Sequence, residues 1–254
     1  MTLPDGRPLA WQRPLAEDEG LAFIHIPKTA GTSLQGSLAS AFPSEEVCEA
    51  QLWPELLAAP PGSLERYRLF AGHFFHLGPL VGRPLRHLTM LRSAVPRAVS
   101  QFQHISRDPG HHFHERANEA GSLDRFLDDP ELRDHLDNHQ TRHILRASIP
   151  SDGSRHPWFD TFRLQESELL EMAKDAVADR FDVVGIVERM PASITAIRRT
   201  FGLDLPDPDT ENTAAARLPL DEPLTRRLEE ITQVDAQLHA WASQRLSRQV
   251  GEDQ

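Results

Sequence analysis

The chain of 254 residues contains one cysteine, Cys48. A lone thiol excludes an intrachain disulfide and a cysteine-rich zinc module, and it leaves Cys48 as a small apolar packing residue. No stretch approaches the ~20 consecutive apolar residues of a membrane-spanning helix. The start, Met1–Arg7, lacks the basic region and apolar run of a secretion signal. The expectation is a soluble, cytoplasmic protein. Positive charge is also scarce: 27 Lys and Arg face 38 Asp and Glu, for a net charge of −11. That balance argues against nucleic-acid partners and against a broad groove for polyanions. Any anion site must be a local pocket in an acidic background. Also missing are internal repeats, low-complexity tracts, the Walker A order G-x-x-x-x-G-K-[ST], and the zinc motif H-E-x-x-H.

What is present is ordered. Residues 1–20 are rich in proline and charge and read as an arm. Residues 21–247 read as one domain, and 248–254 as a tail. Apolar runs at 21–26, 67–71, 87–91 and 181–187 predict four strands. Leu34, Leu38 and Phe42 predict a helix directly after the first strand, and Val95, Val99 and Phe102 one after the third. Ser93 is the expected N-cap of the latter. Residues 106–119 read as a histidine-rich loop, 122–128 and 131–146 as helices, and 164–178 as another. Pro191 opens a helix that Gly202 stops. Residues 203–223 form a proline-rich connection, and 224–247 one long final helix. Strands alternating with helices imply an α/β class with a mostly parallel sheet covered on both faces. Ligands in such sheets bind beyond the carboxyl ends of the strands.

The segment Phe23-Ile24-His25-Ile26-Pro27-Lys28-Thr29-Ala30-Gly31-Thr32-Ser33-Leu34 reads as strand, tight turn and helix start. It brings backbone N–H groups, hydroxyls and one ammonium to one point, which suits a phosphate-like anion. The segment from Leu91 to Phe102 puts Arg92 at a strand end and Ser100 two turns into the next helix. An arginine fork with a hydroxyl suits a second, separate phosphate.

Together these two motifs resemble those of the sulfotransferases that use 3′-phosphoadenosine 5′-phosphosulfate (PAPS), nearest the heparan and chondroitin uronyl 2-O-sulfotransferases and their bacterial relatives. The resemblance implies the P-loop-like sulfotransferase fold. It implies that Lys28, Thr29, Ala30, Gly31, Thr32 and Ser33 hold the 5′-phosphosulfate, and that Arg92 and Ser100 hold the 3′-phosphate. Ala71-Gly72-His73 resembles the family's Gly-His segment, which makes His73 the expected base. The histidine that often precedes that pair is Ala71 here. The Asp-Pro usual after the arginine is Ser93-Ala94. Asp137 to Leu145 resembles a segment near the acceptor, which implies substrate roles for Asn138 and Arg142. Val183 to Glu188 resembles the strand before the C-terminal helices, with Glu188 more structural than catalytic. Asn212, Thr213 and Arg217 resemble a segment that closes over the nucleotide.

The implied reaction is in-line transfer of the sulfuryl group to an acceptor hydroxyl, releasing adenosine 3′,5′-bisphosphate. His73 takes the proton and Lys28 neutralises the leaving oxygen. The acceptor expected is a carbohydrate or small metabolite, and no metal is needed. His111, His112 and His114 fall in the presumed loop, while His135, His139 and His143 recur at i, i+4, i+8 on a presumed helix. That spacing can bind metal, but solvated or acceptor-facing histidines fit this chemistry better. Two rivals stay open. An ATP-dependent phosphotransferase would need a Walker A loop and a magnesium-binding aspartate. A non-catalytic nucleotide-binding scaffold would have no use for both Lys28 and His73.

Overall fold

The computed structural model describes residues 13–148, 160–207 and 218–251. Four strands form one sheet: β1 (Gly20–Ile24), β2 (Leu69–Gly72), β3 (Leu85–Leu91) and β4 (Phe181–Ile186). Each corresponds to an apolar run of the sequence. The order is β2-β1-β3-β4 and every pairing is parallel. All residues of β1 and β2 are buried. Parallel strands buried on both faces need layers above and below, which is why they are apolar throughout rather than alternating.

The helices are α1 (Gly31–Ala39), α2 (Trp53–Leu57), α3 (Ala94–Arg107), α4 (His114–Ala120), α5 (Leu123–Asp128), α6 (Pro130–Arg133), α7 (His139–Ser148), α8 (Glu166–Arg180), α9 (Met190–Phe201), α10 (Glu222–Ile231) and α11 (Gln233–Val250). Helix α1 packs on β2, while α8, α9 and α11 pack on β4. The main core surrounds the sheet, with Cys48 inside it. A second apolar cluster joins α3 to Phe126, Leu127, Leu132 and Leu228 of the neighbouring helices. Val95, Val99 and Phe102 pack against that cluster. The opposite face of α3 carries Arg97, Ser100, Gln101 and His104.

Three expectations are corrected. Residues 114–120 are helical, not loop: Gly121 ends α4 at φ 71° and Ala117 is buried against α3's cluster. The 131–146 helix is two, broken at 134–138, where Asn138 adopts φ 42°. His135 therefore does not share a helix with His139 and His143. The 224–247 helix is also two, broken at Thr232. Asn212, Thr213 and Arg217 lie outside the described residues, as do most of the 1–20 arm and part of the 203–223 connection. Among the described residues no helix is long and apolar enough to cross a membrane.

The topology leaves a crevice at one edge of the strand ends. From β1 the chain crosses to β2 on one side, and from β3 it runs to β4 on the other. The loops leaving the neighbouring strands β1 and β3 thus diverge, opening a crevice at their carboxyl ends.

Candidate active site

Four adjacent strand ends supply the site: His73 after β2, the lysine loop after β1, Arg92 after β3 and Glu188 after β4. In the lysine loop, Lys28 and Ala30 sit in the left-handed region at φ 70° and 59°. Non-glycine residues rarely adopt it, and such strain gathers where backbone groups must point at a ligand. Thr29 is fully buried and its hydroxyl donates to the Ile26 carbonyl at 2.8 Å, pinning the turn. Ala30 occupies the N-cap of α1 without any side-chain cap. Pro27 and Lys28 form the corners of a hydrogen-bonded turn, and α1 starts shortly after it at Gly31. The loop therefore offers the uncapped N–H groups and positive dipole end of α1 together with an ammonium.

Lys28 has no carboxylate partner among the described residues. Burial lowers its pKa, and the neighbouring Arg92 lowers it further. Two neighbouring cations, Lys28 and Arg92, together suit an anion. Arg92 reaches the loop through Nη1, which donates to the Lys28 carbonyl at 3.3 Å. Its backbone is clamped by Gln140 of α7, which accepts from the N–H at 2.8 Å and donates to the carbonyl at 2.9 Å. Ser100 lies half-buried on the face of α3 shared with Arg97, Gln101 and His104.

His73 is placed by backbone. Its N–H donates to Gln51 at 2.7 Å, an approach open only because Gly72 has no side chain, since a Cβ there would press on the Gln51 carbonyl. Its Nδ1 lies 2.7 Å from the carbonyl oxygen of His25. A carbonyl only accepts, so Nδ1 carries the proton and Nε2 keeps its lone pair. Burial lowers the imidazole pKa against the raising effect of that bond, and His104 and Lys28 lower it too. The ring is thus neutral at pH 7 with one free basic nitrogen, which is what a general base requires.

His25 stacks on His73 with centroids 4.4 Å apart and planes 27° from parallel. Its ring also lies over Gly31, where any Cβ would overlap it. Gly31 is needed for that approach, not for a turn. Gly31→Ala is expected to cost about 1–3 kcal/mol by overpacking, read as a lower denaturant midpoint at constant slope. An unchanged midpoint would show that the ring has room to move.

Glu188 acts on the scaffold. Oε1 accepts from the Ser93 N–H at 2.8 Å and Oε2 meets Nε2 of His239 at 3.1 Å. Burial alone would raise its pKa, but the bonds from His239 and Ser93 hold it at about 2. Ser93 takes the N-cap position of α3 without a side-chain bond to the helix.

Asn138 and Arg142 are engaged by protein groups. Asn138 Oδ1 accepts from the N–H groups of Val234 and Asp235 at 2.9 and 3.1 Å, capping α11. Asp235 answers by accepting from the N–H groups of Gln140 and Thr141 and from the Thr141 hydroxyl, capping α7. Burial raises the Asp235 pKa despite these bonds. Arg142 pairs with Asp137 at 3.0 Å, donates to the Thr161 carbonyl and lies over the Phe162 ring. The segment expected to meet the acceptor also carries Gln140 to Arg92.

Two residues at the site, His104 and Arg97, were not foreseen, and a third, His143, is buried rather than solvated. His104 couples electrostatically to Lys28 and His73. His143 is buried beside His73 and His25. Arg97 is fully buried on α3, where burial brings its pKa down to about 10. His104 and Arg97 fall on the polar stripe of α3, the one signal that could have found them. Among the described residues, no group of three or more His, Cys, Asp or Glu is arranged to hold a metal.

No protein-family model matches the chain, and no curated protein matches its sequence. Among solved structures, the chain is similar to a sulfotransferase from Alicyclobacillus acidocaldarius. The identity is 17%, the match covers 90% of this chain and 97% of that one, and the TM-score is 0.45.

Proposed function

We propose that the protein transfers a sulfuryl group from PAPS to an acceptor hydroxyl of a carbohydrate or small metabolite. The observation that carries this is the row of strand ends β2, β1 and β3, which sets a neutral imidazole, a strained lysine loop and Arg92 side by side. Lys28 to Ser33 would hold the 5′-phosphosulfate, and Arg92 with Ser100 the 3′-phosphate. The likeness of these motifs to the PAPS-dependent family supports the choice of donor. Asn212, Thr213 and Arg217 keep their proposed place over the nucleotide.

His73 Nε2 removes the proton from the acceptor hydroxyl as its oxygen bonds to sulfur. The bond from sulfur to the bridging phosphate oxygen breaks in line, and its electron pair stays on adenosine 3′,5′-bisphosphate. Lys28 neutralises that developing charge, while the loop N–H groups hold the phosphate still. These donors are fixed before reaction by backbone strain and packing, so little reorganisation is needed.

Thermal unfolding with added nucleotide tests the donor. Adenosine 3′,5′-bisphosphate at 100 times its Kd is expected to stabilise the fold by about 2.7 kcal/mol, with AMP and ATP giving less. Stabilisation by ATP alone would instead favour a phosphotransferase. A labelled-sulfuryl transfer screen over sugars and small metabolites, read by mass spectrometry, then identifies the acceptor.

A further inference from the structure

The His25 side chain has no role in the reaction as proposed, yet it touches both halves of the site. It stands one residue past β1, at the root of the lysine loop. Its ring covers Gly31, the first residue of α1. On its other flank the ring stacks on His73 at 4.4 Å, and the same residue's carbonyl fixes the His73 tautomer. Phe23, two residues earlier on the same face of β1, stacks on His25 at 5.6 Å and 19°. Phe23 is fully buried in the core, so the stack is anchored at its inner end.

We infer that His25 is a positioning residue for His73: an aromatic platform that aims the base and stabilises its protonated form. This rests on the proposed function for its place in a reaction, but not for its effect on the His73 ring. When His73 takes a proton it becomes an imidazolium lying on a neutral aromatic face. Such cation–π contacts favour the charged ring. His25 itself stays neutral, because burial, His73 and Lys28 hold its pKa down to about 3. The charged and titratable groups facing the pair are Lys28 from the loop, His104 from α3 and His143 from α7. All three oppose protonation of His73 or His25, whereas the stack and the bond from Nδ1 to the His25 carbonyl favour it at His73. Because the ring also rests on Gly31, any shift of the loop is felt at the base.

The test uses the full chain with His25→Leu and His25→Phe. Leucine keeps similar volume without a π face, whereas phenylalanine keeps the flat ring. The first readout is ¹⁵N imidazole NMR of His73 across pH, which needs no substrate. In His25→Leu the His73 titration midpoint is expected to fall by about 0.5 unit, and in His25→Phe to stay near the wild type. The second readout is transfer rate and nucleotide affinity. His25→Leu is expected to lower kcat by roughly 3–10-fold, with affinity for adenosine 3′,5′-bisphosphate unchanged and the rate restored in His25→Phe. An unmoved His73 midpoint in His25→Leu overturns the inference, as does equal loss of kcat and nucleotide affinity in both variants. If the wild type neither binds the bisphosphate nor transfers sulfuryl, the proposed function fails, while the NMR result still decides the stack.

Discussion

His73→Ala is expected to lower sulfuryl transfer by about 10²–10⁴-fold, the usual loss when a positioned general base is removed. Affinity for adenosine 3′,5′-bisphosphate should stay near the wild-type value. The separation follows from the geometry. The nucleotide would rest on the loop after β1 and on Arg92 after β3, whereas His73 hangs from the end of β2 by its own backbone bond to Gln51. Removing the imidazole breaks one bond to the loop, to the His25 carbonyl at 2.7 Å, and leaves the loop's own pin, Thr29 to Ile26, intact. His73→Asn sharpens the test, because the amide can still donate to the carbonyl but has no basic nitrogen. Both variants should lose rate alike. If His73→Asn transfers at near the wild-type rate, the histidine is a structural prop. The pH dependence has a defined sign: the base must be neutral, so kcat/KM should rise with pH through the free-enzyme pKa of His73, level off, and fall again at alkaline pH as Lys28, whose own pKa is lowered, loses its proton. Burial keeps the His73 pKa below the ordinary histidine value.

Much of the fold was legible because its determinants are local. The strands are short apolar runs bounded by turns, and all four observed strands overlap the predicted ones. The breaks within helices were not legible. Leu228, Ile231, Val234 and Leu238 keep helical phase straight through Thr232. What breaks the helix is Asn138, nearly a hundred residues away, which takes the N–H groups of Val234 and Asp235. The reverse cap, from Asp235 to α7, is equally non-local. Helix α4 was missed because its residues, preceded by Pro109-Gly110 and His111-His112, carry no long apolar stripe. It is held instead by Ala117 in the second core and by Arg116 bridging to Asp129 at 2.6 Å.

The site shows the same division. Lys28, Arg92 and His73 stand in motifs because the chain must present them at strand ends. The clamp from Gln140, the stack from His25 and the stripe of Arg97 and His104 arise only when separate elements meet. The bonds of Asn138 serve the junction of α7 with α11, and those of Arg142 reach Asp137 and Thr161, links that only the fold brings together.

Acid should unfold this protein early, at a pH near 5, with uptake of protons by buried histidines. His25, His87, His135, His139 and His143 are all held neutral chiefly by burial, the first three at about 3, 4 and 4 and the last two well below the ordinary value. In the unfolded chain each titrates near 6.5. Above that pH neither state is protonated, and the histidines leave stability unchanged. Below it the unfolded chain binds protons that the folded one refuses, so stability falls by about 1.4 kcal/mol per histidine per pH unit until the folded pKa is reached. At pH 5 that is about 2 kcal/mol for each of His25, His87 and His135, a loss comparable to the whole stability of a marginal domain, about 5–15 kcal/mol, and His139 and His143 act in the same direction. Glu19 and Glu188, both held at about 2, extend the loss in the same direction from about 4.5 downward. Denaturant unfolding followed by circular dichroism between pH 7.5 and 5 measures the slope. His87 offers the control, since it packs edge-on against Phe181 at the opposite end of the sheet from His73. His87→Phe should reduce the slope by one proton, about 1.4 kcal/mol per pH unit. A stability that is flat from pH 7.5 to 5.5 would mean that these histidines take up protons in the folded state after all.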